Sequence, residues 1–315
     1  MYTNLNPRTM GLNHHSFEDL LKAAQIVGFG GIEVPAHAFG SVEKARLAGE
    51  RLKRCGMKWG LMMAPCDMYR VSDGEFEAGL KQWGRWLERA RAAGCTRAYN
   101  HIWPGSDTRD YEENFEWHHD RLKKIFHVMK ESGIRYGLEF MGAKTVCDRF
   151  QYPFIRTISG TMALADSVSR EIGFVFDGIH WYTSGAKMDD LFLYLNNIQR
   201  VVNLHLDDAY PGRSPEEQLD RERGMPGTSG IIDSVKIVKA FHEKGYDGPV
   251  IVEPMSPATD RYESMKLEDA AEEASQCLHE ILKEAGVFIE TGYLFTAGTD
   301  GGSNKQIMSA GRICE

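Results

Sequence analysis

Four side chains that can bind a metal occur near the ends of short apolar segments in the second half of the chain. The segments are RYGLEF, GFVFDGI, VVNLHLD and GPVIVE, and the four residues are Glu139, Asp177, His205 and Glu253. Burying an unpaired carboxylate is costly, and carboxylates close together raise one another's pKa unless a cation lies between them. Two Glu, one Asp and one His form an oxygen-rich ligand set, which suits Mn2+, Mg2+ or Co2+ better than Zn2+. We therefore predict one divalent metal, with Mn2+ as the first choice and Mg2+ or Co2+ as alternatives.

Two residues in the segment YNHIWPG have side chains that suit a sugar ligand. His101 can hydrogen-bond a hydroxyl group, and the indole ring of Trp103 can stack on a sugar ring. We interpret both as substrate-binding residues. Glu33, in the segment GIEVP, is interpreted instead as a structural carboxylate.

The segments that carry these residues alternate with amphipathic runs. Six such runs end near a glycine, which is typical of a helix that stops at a left-handed residue, and a short apolar stretch follows each one. The junctions are VGFGGIEVP, CGMKWGLMM, AGCTRAYNH, SGIRYGLEF, EIGFVFDGI and KGYDGPVIVEP. The pattern therefore predicts alternating helices and strands.

Eight strands are predicted in this way, each followed by a helical segment. They span residues 9–13, 31–35, 58–64, 97–102, 136–140, 173–179, 201–207 and 248–253. This repetition predicts an α/β protein with a single (β/α)8 TIM barrel, in which active-site residues lie at the C-terminal ends of the strands. A doubly wound open sheet is the alternative. We predict a catalytic barrel domain over residues 1–286 and a C-terminal extension over 287–315, which is a candidate subunit contact.

Composition and charge exclude several classes of function. The net charge of −8 argues against nucleic-acid binding, which needs Lys and Arg side chains to neutralise phosphates. No apolar run approaches the ~20 residues that span a bilayer, so no membrane segment is expected. The first residues lack a basic stretch followed by an apolar one, and the six cysteines form no CxxC pair. We therefore expect a cytoplasmic protein with reduced thiols.

Five motifs resemble the xylose isomerase-like sugar isomerase and epimerase barrels, in particular the tagatose 3-epimerase and inosose isomerase branch. They are GLEFMG, FDGIHWYTSG, HLDDA, RGMPG and GIIDSVKIVKAFHEKGYDGPVIVEP. The resemblance implies four metal ligands, which are Glu139, Asp177, His205 and Glu253. It also implies that His180 and Arg223 bind substrate oxygens. The segment PGTSGIID differs from the relatives, which commonly read PGEGVID, so the loop that contacts the substrate differs too.

The resemblance implies chemistry that begins with removal of a proton next to a carbonyl group. A bound cation stabilises the enediolate that results, while Glu139 and Glu253 remove and return the proton. Return to the opposite face epimerises a keto-sugar or inosose, and return to the neighbouring carbon isomerises it. Elimination is the alternative, because the chain is also similar to the large subunits of C-glycoside deglycosidases, which cleave 3-oxo-glycosides together with a small partner subunit.

We therefore predict a metal-dependent sugar isomerase or epimerase that works as a homo-oligomer or with a small partner subunit. An AP endonuclease is a minor alternative, which the acidic charge and the few histidines at the barrel mouth disfavour. A non-catalytic sugar-binding subunit is another. The paired glutamates disfavour it, because binding alone needs no acid-base pair.

Overall fold

The structure is a computed structural model that describes residues 1–34, 39–63 and 69–287. The C-terminal extension, which is the candidate subunit contact, lies outside the described residues from residue 288 onward. None of the helices in the described ranges is long and apolar enough to cross a membrane.

The strands of the described residues form one large parallel sheet and one small antiparallel pair. They are β1 (Tyr2–Leu5), β2 (Gly31–Ile32), β3 (Lys58–Trp59), β4 (Met62–Met63), β5 (Arg97–Ile102), β6 (Gly105–Ser106), β7 (Arg135–Phe140), β8 (Tyr152–Pro153), β9 (Gly173–Asp177), β10 (Val201–Leu206) and β11 (Pro249–Val252). The small pair consists of β6 and β8, and the other strands belong to the large sheet.

Helices connect the strands and bury their apolar faces against the sheet. They are α1 (Phe17–Ile26), α2 (Val42–Arg54), α3 (Asp73–Ala93), α4 (Tyr111–Ser132), α5 (Lys144–Cys147), α6 (Ile158–Val168), α7 (Gly178–Thr183), α8 (Met188–Asn196), α9 (Ser234–Glu243), α10 (Ala258–Glu263) and α11 (Leu267–Glu284). The largest apolar cluster joins side chains of these helices to side chains of the strands. A second, small cluster consists of buried side chains from the strands and from Leu61.

The large sheet closes into a barrel. Its strand order is β3-β2-β1-β11-β10-β9-β7-β5-β4, and the two end strands, β3 and β4, follow each other directly in the chain. Only Gly60 and Leu61 separate them, so a single segment pairs with β2 through β3 and with β5 through β4. The nine strands therefore occupy eight positions around a ring, which confirms the predicted (β/α)8 fold.

The strands that carry the candidate site are predicted to within two residues at each end, but the first strand is wrong. Residues 9–13 form no strand and are mostly turn, and β1 lies earlier, where it pairs with β11 and β2. Thr3 and Asn4 give the sequence of this strand a polar pattern, although both side chains are buried in the barrel. The apolar pattern therefore misplaces the first strand, because its buried positions are occupied by polar side chains.

Most of the predicted glycine stops are confirmed. The glycines with φ values of 70–83° at these junctions are Gly28, Gly56, Gly94, Gly133 and Gly245. Gly173 is different, because it is the first residue of β9 and does not end a helix. A Cβ atom there would lie 2.2 Å from the backbone oxygen of Arg200, so glycine allows the neighbouring backbone to approach closely.

Candidate functional site

The four predicted metal-binding residues meet at the C-terminal end of the barrel. They lie near the end of β7, at the end of β9, near the end of β10 and directly after β11, and they are Glu139, Asp177, His205 and Glu253. These strands are consecutive neighbours in the sheet, and the register places His205 opposite Asp177. All four side chains are buried. The C-terminal strand ends therefore bring together residues that are far apart in the sequence.

His205 lies at the centre of this group. One ligand atom from each of the four residues lies within 4.8 Å of the others. His205 Nδ1 is 2.6 Å from Glu253 Oε2, 3.0 Å from Glu139 Oε1 and 3.8 Å from Asp177 Oδ2. Burial alone would lower the pKa of His205, but the charges of Glu253 and Glu139 outweigh burial and raise that pKa well above its usual value.

The arrangement fits a divalent cation. Neither ring nitrogen of His205 makes a hydrogen bond to another described residue, although Nδ1 faces carboxylate oxygens of three residues. A cation between these atoms would satisfy the imidazole lone pair and the carboxylates together. Three carboxylates and one imidazole are donors that Mn2+, Mg2+ and Co2+ accept. The four side chains can therefore hold a metal ion.

Arg223 lies beside these carboxylates. Its Nη1 atom is 2.8 Å from Asp177 Oδ2, 3.1 Å from Asp207 Oδ2 and 3.5 Å from Glu253 Oε2. Its Nη2 atom is 2.9 Å from Asp220 Oδ1. An arginine keeps its charge at any accessible pH, so Arg223 supplies a permanent positive charge among these acids. Its contact with substrate oxygens stays a prediction.

His180 lies one helical turn from Asp177, on the short helix α7. Its backbone N–H donates to Asp177 Oδ1 at 2.8 Å, so the carboxylate also caps this helix. Its ring Nδ1 accepts a hydrogen bond from the backbone N–H of Gly142 at 3.2 Å. A neutral ring therefore carries its proton on Nε2, which lies 3.4 Å from Arg223 Nη2 and 3.8 Å from Asp220 Oδ1. In this tautomer, Nε2 of His180 can donate a hydrogen bond to an acceptor that lies near Arg223.

His101 lies near the end of β5 and Trp103 directly follows that strand, but their surroundings differ. His101 Nε2 is 3.0 Å from Glu139 Oε2, because His101 pairs with Glu139 across β5 and β7. Burial would raise the pKa of Glu139, but the neighbouring imidazoles of His205 and His101 lower it. Trp103 packs against an apolar cluster that includes Met141, and the guanidinium of Arg70 lies 4.2 Å from its ring centre. Substrate binding by either residue stays a prediction.

Two residues that sequence reasoning does not assign to the site reach it from other strands. Arg8, in the loop after β1, lies 3.4 Å from Glu253 Oε1 and 3.0 Å from the hydroxyl of Tyr99 through its Nη2 atom. Tyr99 is buried on β5, and its ring meets His205 edge-on with the centroids 5.9 Å apart. The misplaced first strand explains why Arg8 is missed, because a strand at residues 9–13 would put Arg8 at the wrong end of the barrel.

Two further buried carboxyl groups have raised pKa values. Burial raises the pKa of Glu33 to about 7, although the charges of His205 and Arg8 act against this shift. Its Oε1 atom accepts a hydrogen bond from Asn203 at 3.3 Å, as a structural carboxylate would. Burial and the charge of Asp177 raise the pKa of Asp207 well above its usual value. Both carboxyl groups therefore release their protons at a higher pH than an exposed carboxyl group does.

Comparisons with known proteins agree with this architecture. A family model described as a xylose isomerase-like TIM barrel matches residues 20–281. No curated protein matches the sequence. A xylose isomerase domain protein from Alicyclobacillus acidocaldarius is similar in structure, with a TM-score of 0.75 at 22% identity, and the match covers 90% of this chain and 99% of the other.

Two other solved structures are similar at lower identity. The IolI protein, which was solved with a zinc atom bound, has a TM-score of 0.75 at 18% identity, with 90% of this chain and 99% of the other covered. D-psicose 3-epimerase, which was solved in the presence of D-fructose, has a TM-score of 0.65 at 15% identity, with 91% of this chain and 100% of the other covered. At these identities the similarity establishes a shared fold.

Proposed function

Because the chain belongs to the xylose isomerase-like TIM barrel family, we propose that it is a divalent-metal-dependent isomerase or epimerase of a keto-sugar or inosose. The observation that carries the proposal is the buried cluster of Glu139, Asp177, His205 and Glu253 at the barrel mouth. The similar structures of an epimerase and of a zinc-containing barrel support it. Mn2+ is the proposed metal because three of the four ligands are carboxylates.

A metal bound there would supply Lewis-acid stabilisation of negative charge that develops on substrate oxygens. The four ligand side chains would hold it, and Arg223 offsets part of their negative charge from the side of Asp177. Burial of the cluster keeps bulk water away from the carboxylates, so charges act more strongly there than at the surface.

Glu139 and Glu253 are the proposed acid-base pair. They project from β7 and from the end of β11, with β9 and β10 between them in the sheet, so they approach a bound sugar from different sides. One carboxylate removes the proton next to the carbonyl group, and the other returns a proton to the opposite face. This pairing gives epimerisation, whereas return to the adjacent carbon gives isomerisation.

The remaining predicted site residues orient the sugar. His180 would donate from Nε2 to a substrate oxygen, and Arg223 would hold a second oxygen from the adjacent position. His101 would bind a hydroxyl group next to Glu139, and Trp103 would offer an aromatic surface at the rim. Elimination from a 3-oxo-glycoside begins with the same proton removal, so it remains the second candidate reaction of this site.

A substrate screen in D2O tests the proposal. The purified protein, loaded with Mn2+, is incubated with ketohexoses, inososes and 3-oxo-glycosides, and products are followed by NMR and mass spectrometry. We expect one of the first two classes to be epimerised or isomerised with solvent deuterium at the carbon that loses its proton. Cleavage of a 3-oxo-glycoside would favour the elimination reaction instead. Turnover without any solvent label would contradict proton transfer, because it indicates a hydride shift.

We expect His180→Ala to lower kcat/KM by about tenfold to hundredfold, as the loss of a hydrogen bond to a substrate oxygen should. Mn2+ content should stay the same, because His180 is not one of the four ligands. His127→Ala is the matched control, since the His127 side chain is 75% exposed and forms an ion pair with Glu131 on its own helix. Loss of the metal in His180→Ala would assign His180 to the metal instead of the substrate.

A further inference from the structure

The two glutamates of the cluster are held by different kinds of side chain. Each directs one oxygen toward His205, at 3.0 Å for Glu139 Oε1 and 2.6 Å for Glu253 Oε2. The outer oxygen of Glu139 faces the imidazole of His101, whereas the outer oxygen of Glu253 faces the guanidinium of Arg8. Arg8 thus occupies, on the β11 side of the cluster, the position that His101 occupies on the β7 side.

The loop that carries Arg8 is fixed to the strand that carries Glu253. Asn6 Oδ1 accepts hydrogen bonds from the backbone N–H of Arg8 at 3.0 Å and of Thr9 at 3.3 Å, which closes a turn. The hydroxyl of Thr9 donates to the backbone oxygen of Val252, the residue before Glu253, at 3.3 Å. The backbone at Arg8 is therefore held in place relative to the end of β11.

The side chain of Arg8 is anchored at its tip as well. Its Nη2 atom donates to the Tyr99 hydroxyl at 3.0 Å, and Tyr99 is only 1% exposed. The same nitrogen lies 3.4 Å from Glu253 Oε1. Because one end of the contact is a buried ring on β5, Arg8 connects Glu253 to the opposite side of the barrel.

We propose that Arg8 is a positioning residue for Glu253. Arg8 holds the Oε1 atom of Glu253, so that the Oε2 atom stays directed toward His205 and can bind the proposed cation. This inference rests on the proposed metal-dependent function. A glutamate side chain has several rotatable bonds, and a partner that fixes its outer oxygen reduces the freedom that metal binding would otherwise remove. A guanidinium suits this task because it is planar, permanently charged and able to donate to two acceptors at once.

Mn2+ affinity, measured without substrate, separates positioning from simple charge effects. Removing a positive charge beside a cation site should strengthen cation binding by Coulomb's law. A positioning role predicts the opposite sign, because the loss of a group that orients a metal ligand typically weakens binding by about 10- to 100-fold. We expect Arg8→Met to weaken Mn2+ binding within this range, as measured by calorimetry on the metal-free, full-length protein.

Two variants that keep a positive charge at position 8 provide the second test. Tyr99→Phe removes the hydroxyl that anchors Arg8, and Arg8→Lys replaces the planar guanidinium with an ammonium group. Both should weaken Mn2+ binding in the same direction as Arg8→Met but by less, and they decide the matter if Arg8→Met does not fold. Arg46→Met is the control, because Arg46 lies exposed on α2 with Glu43 and Glu50 as its ion-pair partners.

The outcomes separate this inference from the proposed function. Unchanged or tighter Mn2+ binding in Arg8→Met, with a higher KM, would make Arg8 a substrate contact and overturn the positioning role alone. A parent protein that binds no Mn2+ would overturn the proposed function and the inference together. Weaker binding in Arg8→Met and Tyr99→Phe, with Arg46→Met equal to the parent, would support the positioning role even if no sugar in the screen is turned over.

Discussion

Glu139→Gln and Glu253→Gln will each lower turnover by at least the ~10²-fold that is typical of losing a general acid-base group. Glutamine keeps an oxygen that can face the cation but cannot remove a proton, so the variants separate the base from the ligand. Turnover of the sugar identified in the screen and exchange of its proton in D2O are the two measurements. Glu131→Gln is the surface control, because the Glu131 side chain is 70% exposed and its ion-pair partner is His127.

The pattern of loss in the two variants distinguishes the reactions. An epimerase that uses two bases needs both glutamates, so both variants should fail to form product. One variant can still exchange the substrate proton with D2O if its remaining glutamate is the base for that face. An eliminating enzyme can depend far more on one glutamate than on the other. Full activity in both variants would rule out the proposed acid-base pair.

We expect removal of the proposed metal to abolish turnover and to lower the melting temperature. Glu139, Asp177 and Glu253 are all buried, so without a cation their negative charges lie close together in a medium that screens them poorly. Binding of a metal to the folded state alone stabilises that state by about 2.7 kcal/mol at about 100 times Kd. Chelation followed by dialysis, with melting measured before and after Mn2+ is restored, tests this expectation. A melting temperature that does not respond to Mn2+ would contradict it.

The stabilisation by Mn2+ should increase with pH, and the reason is His205. In the metal-free protein the charges of Glu253 and Glu139 raise the pKa of His205, even though burial acts in the opposite direction. The stability from its protonation is present below the unfolded-state pKa of about 6.5 and is lost as the pH rises through the raised, folded-state value. Mn2+ at the proposed site would need the neutral ring, so its binding would displace this proton and would tighten as the pH rises.

Melting curves with and without Mn2+ at roughly pH 6 and roughly pH 8.5 measure this difference, because His205 is expected to carry more of its proton at the lower value. The increase in melting temperature on addition of Mn2+ should be larger at the higher pH. An increase that does not change with pH would mean that His205 does not bind the metal. The His205→Gln variant is the matched comparison, since it should lose most of the effect at both pH values.

Much of the barrel and the four central residues could be predicted from the sequence, because the signals that specify them are local. Glycine stops mark where helices end and strands begin, and short apolar runs mark the strands themselves. In a (β/α)8 barrel every C-terminal strand end faces the same mouth. A charged residue at such an end, as Glu139 and Asp177 are, therefore points to the site without knowledge of any contact. The family motifs also predicted His180 and Arg223, and these signals are local too. His180 lies three residues after Asp177 at the end of β9, and Arg223 lies three residues before Pro226.

The tertiary structure alone decided which side chains support this cluster. Arg8 and Glu253 are 245 residues apart, and nothing in the local sequence of either one indicates their contact. β1 was hidden from the apolar pattern because Thr3 and Asn4 are buried in the barrel despite being polar. The environment of Glu33 was equally hidden, since its raised pKa comes from burial and not from its neighbours in sequence. Closure of the barrel creates these environments, because only then do loops and strands from both ends of the chain share one interior.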